Sequence, residues 1–207
     1  FIYQDIDIEN LDKIISKNII SGYIGFDITS DSLHVGSLIQ LMLLYWLDFY
    51  GHKSIGLIGG GTTLIGDPSG KDETRKILTK KEIDKNIDNI KQIFSRFINL
   101  NKDALIINNY DWLSKLNYID FLREFGSKIT LNRMLTFESV KSRLDREQPL
   151  TILEFNYMLL QAYDFVYLNK NYNCILQMGG SDQWGNILSG VDLIRKINKK
   201  EAFGITS

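Results

Sequence analysis

Residues 22–37, GYIGFDITSDSLHVGS, constrain this chain more than any other stretch. Residues 23–26 are apolar and short enough for a buried strand, with a glycine at position 25. Asp27, Thr29, Ser30, Asp31 and Ser32 then supply a cluster of turn and helix-capping side chains. Residues 33–49 form an apolar run longer than an ordinary strand. The reading is strand, tight loop, buried helix. That is the opening unit of an open α/β sheet, in which ligands bind at the carboxyl ends of the strands. On this reading His34 and Gly36 fall in the first turn of the helix. Unpaired backbone N–H groups and the positive end of the helix dipole favour a phosphate there. Taken alone, the same residues also suit a solvated helix start, so other stretches must decide.

A short helix precedes this unit over residues 7–18, with Ile8, Leu11 and Ile15 at helical spacing. A second strand over 53–61 ends in three glycines, and TTLIGDPSG over 62–70 is a loop dense in turn residues. Neither standard phosphate motif fits. A dinucleotide fingerprint begun at Gly59 wants glycine where Leu64 stands. A Walker loop ending in Gly70 and Lys71 wants glycine at Ile65 and Ser or Thr at Asp72. Thr79 and Glu82 form a capping box, and Ile83, Ile87, Ile90, Phe94 and Phe97 line one face of the helix it opens. A third strand is expected over 104–108, then helices over 114–125, stopped by Gly126, and over 133–144.

A second capping box, Thr151 with Glu154, heads a helix over 153–168 that is apolar almost all round and therefore buried. Tyr157, Gln161 and Asp164 form one polar stripe along it. A buried carboxylate or amide without a partner is costly, so the stripe faces either a structural hydrogen-bond network or a ligand. A fourth strand over 174–178 runs into GGSDQWGN, again strand, glycine turn, helix. Gly179 and Gly180 permit close backbone approach, and Asp182 suits a pair of ribose hydroxyls. Two such turns point to a nucleotide site between them.

The 207 residues suit one large domain or one and a half, and the formal net charge of −1 gives no electrostatic footprint for nucleic acid. The single cysteine, Cys174, allows no internal disulfide and fits a reducing compartment. No stretch reads as a signal peptide or a membrane-spanning helix.

In order, GYIGFDITSDSLHVGS, GGTTLIGDPSGK, NNYDWL, EFNYMLLQAYDF and GGSDQWGN closely resemble the bacterial and organellar tyrosyl-tRNA synthetases, class I enzymes, over nearly the whole chain. The resemblance implies a Rossmann-like doubly wound, mostly parallel sheet with helices on both faces. It implies an inserted helical, dimer-forming segment over 110–150 within a catalytic domain over 1–207. His34-Val35-Gly36-Ser37 matches a His-Ile-Gly-His signature on the ATP phosphates, with Ser37 in place of the second His. Thr29 matches another phosphate contact, and Ile28 stands where proline is common. Tyr23 and Asp164 match the pair that binds the substrate phenol. Asp67, Tyr157 and Gln161 match the residues on its amino group, and Gln183 a carboxylate contact. Gly25, Asp27, Gly180 and Asp182 match adenosine and ribose contacts. Lys71 and Arg75 match a mobile loop at the leaving pyrophosphate.

The implied activity is ATP-dependent activation of L-tyrosine and its transfer to tRNA(Tyr). Mg2+ would arrive with ATP and need no dedicated protein site. The implied partners are tyrosine, ATP, tRNA(Tyr) and a second copy of the chain, in bacterial cytoplasm or an organellar matrix, with no membrane. The second, lysine-rich signature and the anticodon-binding and C-terminal RNA-binding regions are not in this sequence, so impaired activation is expected. A tryptophan-type synthetase and a non-enzymatic binding relic are the alternative readings.

Overall fold

The computed structural model describes residues 2–66, 79–98 and 104–207. Its strands are β1 (Gln4–Asp5), β2 (Ser21–Phe26), β3 (Lys53–Ile58), β4 (Leu105–Asn108), β5 (Cys174–Gly179) and β6 (Phe203–Thr206). They form one sheet in the order β1-β6-β5-β2-β3-β4. All neighbours are parallel except β1, which runs antiparallel to β6. The helices are α1 (Ile8–Ile15), α2 (Ser37–Phe49), α3 (Lys80–Phe94), α4 (Tyr110–Leu113), α5 (Tyr118–Glu124), α6 (Leu131–Met134), α7 (Glu138–Asp145), α8 (Ile152–Tyr172) and α9 (Trp184–Ile197). From central β2 the chain steps outward to β3 and β4. It then returns through α4 to α8 and lays β5 and β6 on the other side of β2. The strand order therefore reverses between β2 and β5, and a crevice opens at the carboxyl ends of these two strands.

Side-chain alternation divides the core between the two faces. Ile24, Phe26 and Ile58 pack with Leu41, Leu44 and Phe94 from α2 and α3. Tyr23, Ile55 and Leu57 pack with Leu159, Phe165 and Val191 from α8 and α9. Tyr23 pairs in register with Ile55 on one side and Gln177 on the other, after a register shift between Ser21 and Gly22 against β5. Cys174 begins β5 wholly buried, and burial pushes its thiol up to about 12, against hydrogen bonds with Leu176 and Ser21. A third cluster of Met134, Phe137, Val140 and Met158 fastens the inserted segment to α8.

At Gly56 this packing leaves no room for a side chain. A Cβ there would stand 2.6 Å from the Phe94 ring. Gly56→Ala is expected to destabilise the chain by about 2 kcal/mol, read from the urea midpoint, because the ring must leave its place against Phe26.

Several expectations change. Helix α2 begins at Ser37, so His34 and Gly36 lie in the turn before it; Ser37 N–H donates to the His34 carbonyl at 2.8 Å and Leu38 N–H to that of Val35 at 3.0 Å. The strand expected to reach Gly61 stops at Ile58, and the glycines lead into a short 3-10 turn, Thr62–Leu64. The helix expected over 114–125 starts later, as α5, because Asn117 is extended, with ψ of 124°, and caps Ile119 and Asp120; a separate short helix, α4, ends before it at Leu113. The helix expected over 133–144 is likewise split, with Phe137 extended between α6 and α7. Helix α8 runs on to Tyr172 and ends at Asn173 in the left-handed region, φ 50°. Both capping boxes are present. Among the described residues no helix is long and apolar enough to cross a membrane.

Candidate active site

A cavity of about 400 Å3 fills the crevice between β2 and β5. Sequence-predicted residues from four stretches meet in it: Tyr23, Gly25 and Asp27 from β2 and its end; Thr29, His34 and Gly36 from the following turn, with Ser37 at the start of α2; Tyr157, Gln161 and Asp164 from α8; and Gly180, Asp182 and Gln183 after β5. Asp67, Lys71 and Arg75 lie outside the described residues.

The inner end is polar but dry. Tyr23 and Asp164 are each 1% exposed. The Tyr23 hydroxyl is buried with no hydrogen-bond partner among the described residues. Asp164 is held from behind: Asn109 Nδ2 donates to Oδ2 at 2.8 Å, and Trp112 Nε1 to Oδ1 at 2.7 Å. Burial pushes its carboxyl from the ordinary 3.8 up to about 7, against those two hydrogen bonds and with help from the charge of Asp27. Burial, with Asp164 and Cys174 nearby, pushes the Tyr23 phenol well above its usual value. The Tyr23 phenol therefore keeps its proton through the neutral range while the Asp164 carboxyl gives its own up near 7, and a polar ligand group meets a donor and an acceptor together.

The network behind the cavity continues. Asn109 Nδ2 also reaches Thr62 Oγ1 at 3.1 Å, and its Oδ1 accepts from Gly61 N–H at 2.7 Å. The Thr62 hydroxyl donates to Asp27 Oδ1 at 3.1 Å, and the Tyr157 hydroxyl to Asp27 Oδ2 at 3.2 Å. Further out, Gln161 Nε2 donates to Gln183 Oε1 at 3.2 Å, and Gln183 Nε2 to Asp182 Oδ2 at 2.9 Å. The polar stripe on α8 thus serves both expected purposes at once: each member has a side-chain partner, and each lines the cavity.

The outer end is open and built from the two glycine turns. His34 is exposed, and its Nδ1 accepts from Gly36 N–H at 3.0 Å. A neutral imidazole that accepts at Nδ1 carries its proton on Nε2, a donor. A second cavity, of about 750 Å3, adjoins at Asp182, with Arg133, Phe137 and Trp184 among its walls. Among the described residues no group of three or more His, Cys, Asp or Glu could hold a metal ion.

Sequence reasoning missed Thr62, Asn109, Trp112, Gln40 and Gln177, all of which line the cavity or support it. For Asn109 and Trp112 a signal existed. They stand three apart in NNYDWL, so a helical turn presents them to the same side, and an indole N–H and an amide beside a buried carboxylate have an obvious acceptor.

A doubly wound sheet with a polar cavity at its switch point defines an α/β nucleotide-type fold. The chain matches the family described as tRNA synthetases class I (W and Y) over residues 16–207, and it belongs to that family. It is 57% identical to the tyrosine--tRNA ligase of Rickettsia bellii over all of its own length and 51% of that protein. It is equally similar to that of Rhodospirillum rubrum, over 50% of the relative. The chain thus spans about half the length of the curated relatives it matches. Among solved structures, a C-terminally truncated mitochondrial tyrosyl-tRNA synthetase from Aspergillus nidulans superposes with a TM-score of 0.89 at 29% identity, over 99% of this chain and 65% of that one. The tyrosyl-tRNA synthetase of Archaeoglobus fulgidus complexed with L-tyrosine shares the fold, with a TM-score of 0.76 at 18% identity.

Proposed function

We propose that this chain is the tyrosine-activating part of a tyrosine--tRNA ligase. One observation carries the reading: two buried polar groups, Tyr23 and Asp164, stand at the closed end of a cavity whose other end is made of glycine turns at strand tips. A phenol hydroxyl both donates and accepts, and it satisfies both groups. An indole or a phenyl ring leaves at least one of them desolvated and unpaired, which costs more than the ring gains by burial. This favours tyrosine over the tryptophan-type reading. It also argues against a binding relic, which needs no such socket.

The amino acid lies along the cavity with its hydroxyl at Tyr23 and Asp164. Its ammonium group meets Tyr157 and Gln161, to which the family resemblance adds Asp67, and its carboxylate meets Gln183. The carboxylate oxygen attacks the α-phosphorus of ATP; the new carboxyl–phosphate bond forms as the bond to pyrophosphate breaks. The substrate is its own nucleophile, so the chain supplies position and charge stabilisation. Thr29, Ser37 and the Nε2–H of His34 donate to phosphate oxygens, and the family resemblance assigns Lys71 and Arg75 to the leaving group. Gly25, Asp27, Gly36, Gly180 and Asp182 hold the nucleotide. Mg2+ travels on the ATP phosphates. The second cavity, beside Asp182, gives the acceptor end of tRNA(Tyr) a way in. Residues 110–150 form the dimer segment, and Tyr118, Ile119, Leu131, Leu135 and Leu144 give it an exposed apolar face for a second copy to cover.

The test is an amino-acid panel by calorimetry. L-tyrosine is expected to bind, with L-phenylalanine and L-tryptophan at least 100-fold weaker, the fold-change that two unpaired buried groups at about 1.5 kcal/mol each would give. Equal binding of phenylalanine overturns the reading.

A further inference from the structure

The Trp112 indole is held at two places. Its Nε1–H donates to Asp164 Oδ1 at 2.7 Å. One face of its ring lies on Tyr167, with centroids 4.2 Å apart and planes 13° from parallel. Asp164 and Tyr167 stand three residues apart on α8, so one turn of that helix takes both the edge and the face of the indole. The segment that carries Trp112 is poorly suited to fix it alone: α4 is four residues long, a single turn with little stability of its own. Tyr167 is backed in turn by Tyr163, 6.4 Å away between centroids, which packs edge-on against Phe121 and Phe125.

A hydrogen bond fixes one point of an indole and leaves the ring free to swing about the N–H···O line. The face contact removes that freedom, and the consequence falls on Asp164. Each of its oxygens takes one donor from behind, Asn109 Nδ2 at 2.8 Å and Trp112 Nε1 at 2.7 Å. Two fixed donors set the plane of a carboxylate, and with it the directions of the lone pairs left for a ligand. We propose that Tyr167 is a positioning residue for the phenol contact: by holding the Trp112 indole it holds the Asp164 carboxylate in the plane that accepts the substrate hydroxyl. The proposal rests on the tyrosine reading of the site and adds to it a residue that does not itself line the cavity. Among the described residues, the titratable groups facing Asp164 are Tyr23 and Asp27, from β2 and its end, and Tyr163 beside it on α8; replacing Tyr167 removes none of them. Loosening Trp112 weakens one of the two hydrogen bonds that work against the burial of Asp164, so its carboxyl moves further up.

The experiment is calorimetry with L-tyrosine, and with L-phenylalanine by displacement, on the wild-type chain, Tyr167→Leu and Tyr167→Phe. Tyr167→Leu keeps an apolar side chain without a flat face. It is expected to bind L-tyrosine about fivefold more weakly at pH 7, the worth of one aromatic pair, with L-phenylalanine unchanged. Its tyrosine affinity is expected to go on rising at pH values where that of the wild type is level. Tyr167→Phe keeps the ring and is expected to match the wild type in selectivity and pH profile. The indole N–H resonance of Trp112, assigned by its absence in Trp112→Phe, is expected to exchange with solvent faster in Tyr167→Leu alone. Tyr167→Met, which retains more of the contact area, is read in the same way if the leucine variant does not fold. A leucine or methionine variant with wild-type selectivity and pH profile overturns the proposal. So does equal loss of affinity for both amino acids, or a phenylalanine variant as impaired as the leucine one. A wild-type chain that does not prefer tyrosine to phenylalanine overturns the tyrosine reading itself, which is a distinguishable result.

Discussion

Asp164→Ala is expected to weaken L-tyrosine binding about 100-fold, or roughly 3 kcal/mol, the cost of removing a charged acceptor from a buried hydrogen bond. The loss exceeds that of an ordinary contact because Asn109 Nδ2 and Trp112 Nε1 are left pointing into the space the carboxylate occupied. The pH dependence carries the same signature. The Asp164 carboxyl is raised by burial from 3.8 to about 7, so between those values the folded chain holds a proton that the unfolded chain releases. The stability of the unliganded chain therefore falls as pH rises from about 4 to about 7 and is level above that. A bound phenol donates to the ionised carboxylate. Tyrosine affinity is accordingly expected to rise by up to about tenfold per pH unit up to about pH 7 and then to level off. Asp164→Asn removes both slopes. Calorimetry from pH 5.5 to 8.5 checks this, and tyrosine affinity that is unchanged in Asp164→Ala sinks the reading.

The α8 stripe shows why part of the site was legible in sequence. Helical spacing places Tyr157, Gln161 and Asp164 on one side of a buried helix, and burial demands partners for them. The partners themselves were not legible. Asn109 and Trp112 are 55 and 52 residues from Asp164, and only the order of strands in the sheet brings them behind it. The same limit applies to the fold. Strands β2 to β5 are marked by their own apolar residues, and β2, β3 and β5 also by glycines at or near their ends. Strand β1 is two residues long and β6 four. Their pairing comes from the sheet edge they meet, with Tyr3 N–H donating to the Thr206 carbonyl at 2.7 Å, and local composition carries none of it. Helix breaks at Asn117 and Phe137 escaped for a related reason. Hydrophobic spacing alone carries a helix past a point where capping ends it.

Arg143→Met is expected to lower the unfolding free energy by about 3 kcal/mol, although Arg143 touches no part of the cavity. Arg143 as a whole is 6% exposed. One terminal nitrogen donates to Glu154 Oε1 at 3.0 Å and the other to the Pro149 carbonyl. Glu154 in turn closes the capping box of α8, accepting from the Thr151 N–H at 3.0 Å and its hydroxyl at 2.8 Å. One carboxylate thus ties the start of the pocket-lining helix to α7 and to the chain between them. Removing the cation strands Glu154 in a half-buried place with its cap alone, and a broken pair costs more than an absent one. Replacing both partners, in Arg143→Met with Glu154→Gln, is accordingly expected to recover 1–2 kcal/mol of the loss. The acid side supplies the control. Burial works to raise the Glu154 carboxyl, but the hydrogen bonds from Thr151 and the Arg143 guanidinium outweigh it and hold it below its ordinary 4.5. A carboxyl lowered in this way contributes stability above pH 4.5 that is lost as pH falls through the folded value. The gap between wild type and Arg143→Met is therefore expected to narrow below pH 4.5. Urea melts at pH 7 and pH 4 measure it, and a gap that is equal at both values, or absent at pH 7, shows that the pair does not hold α7 to α8.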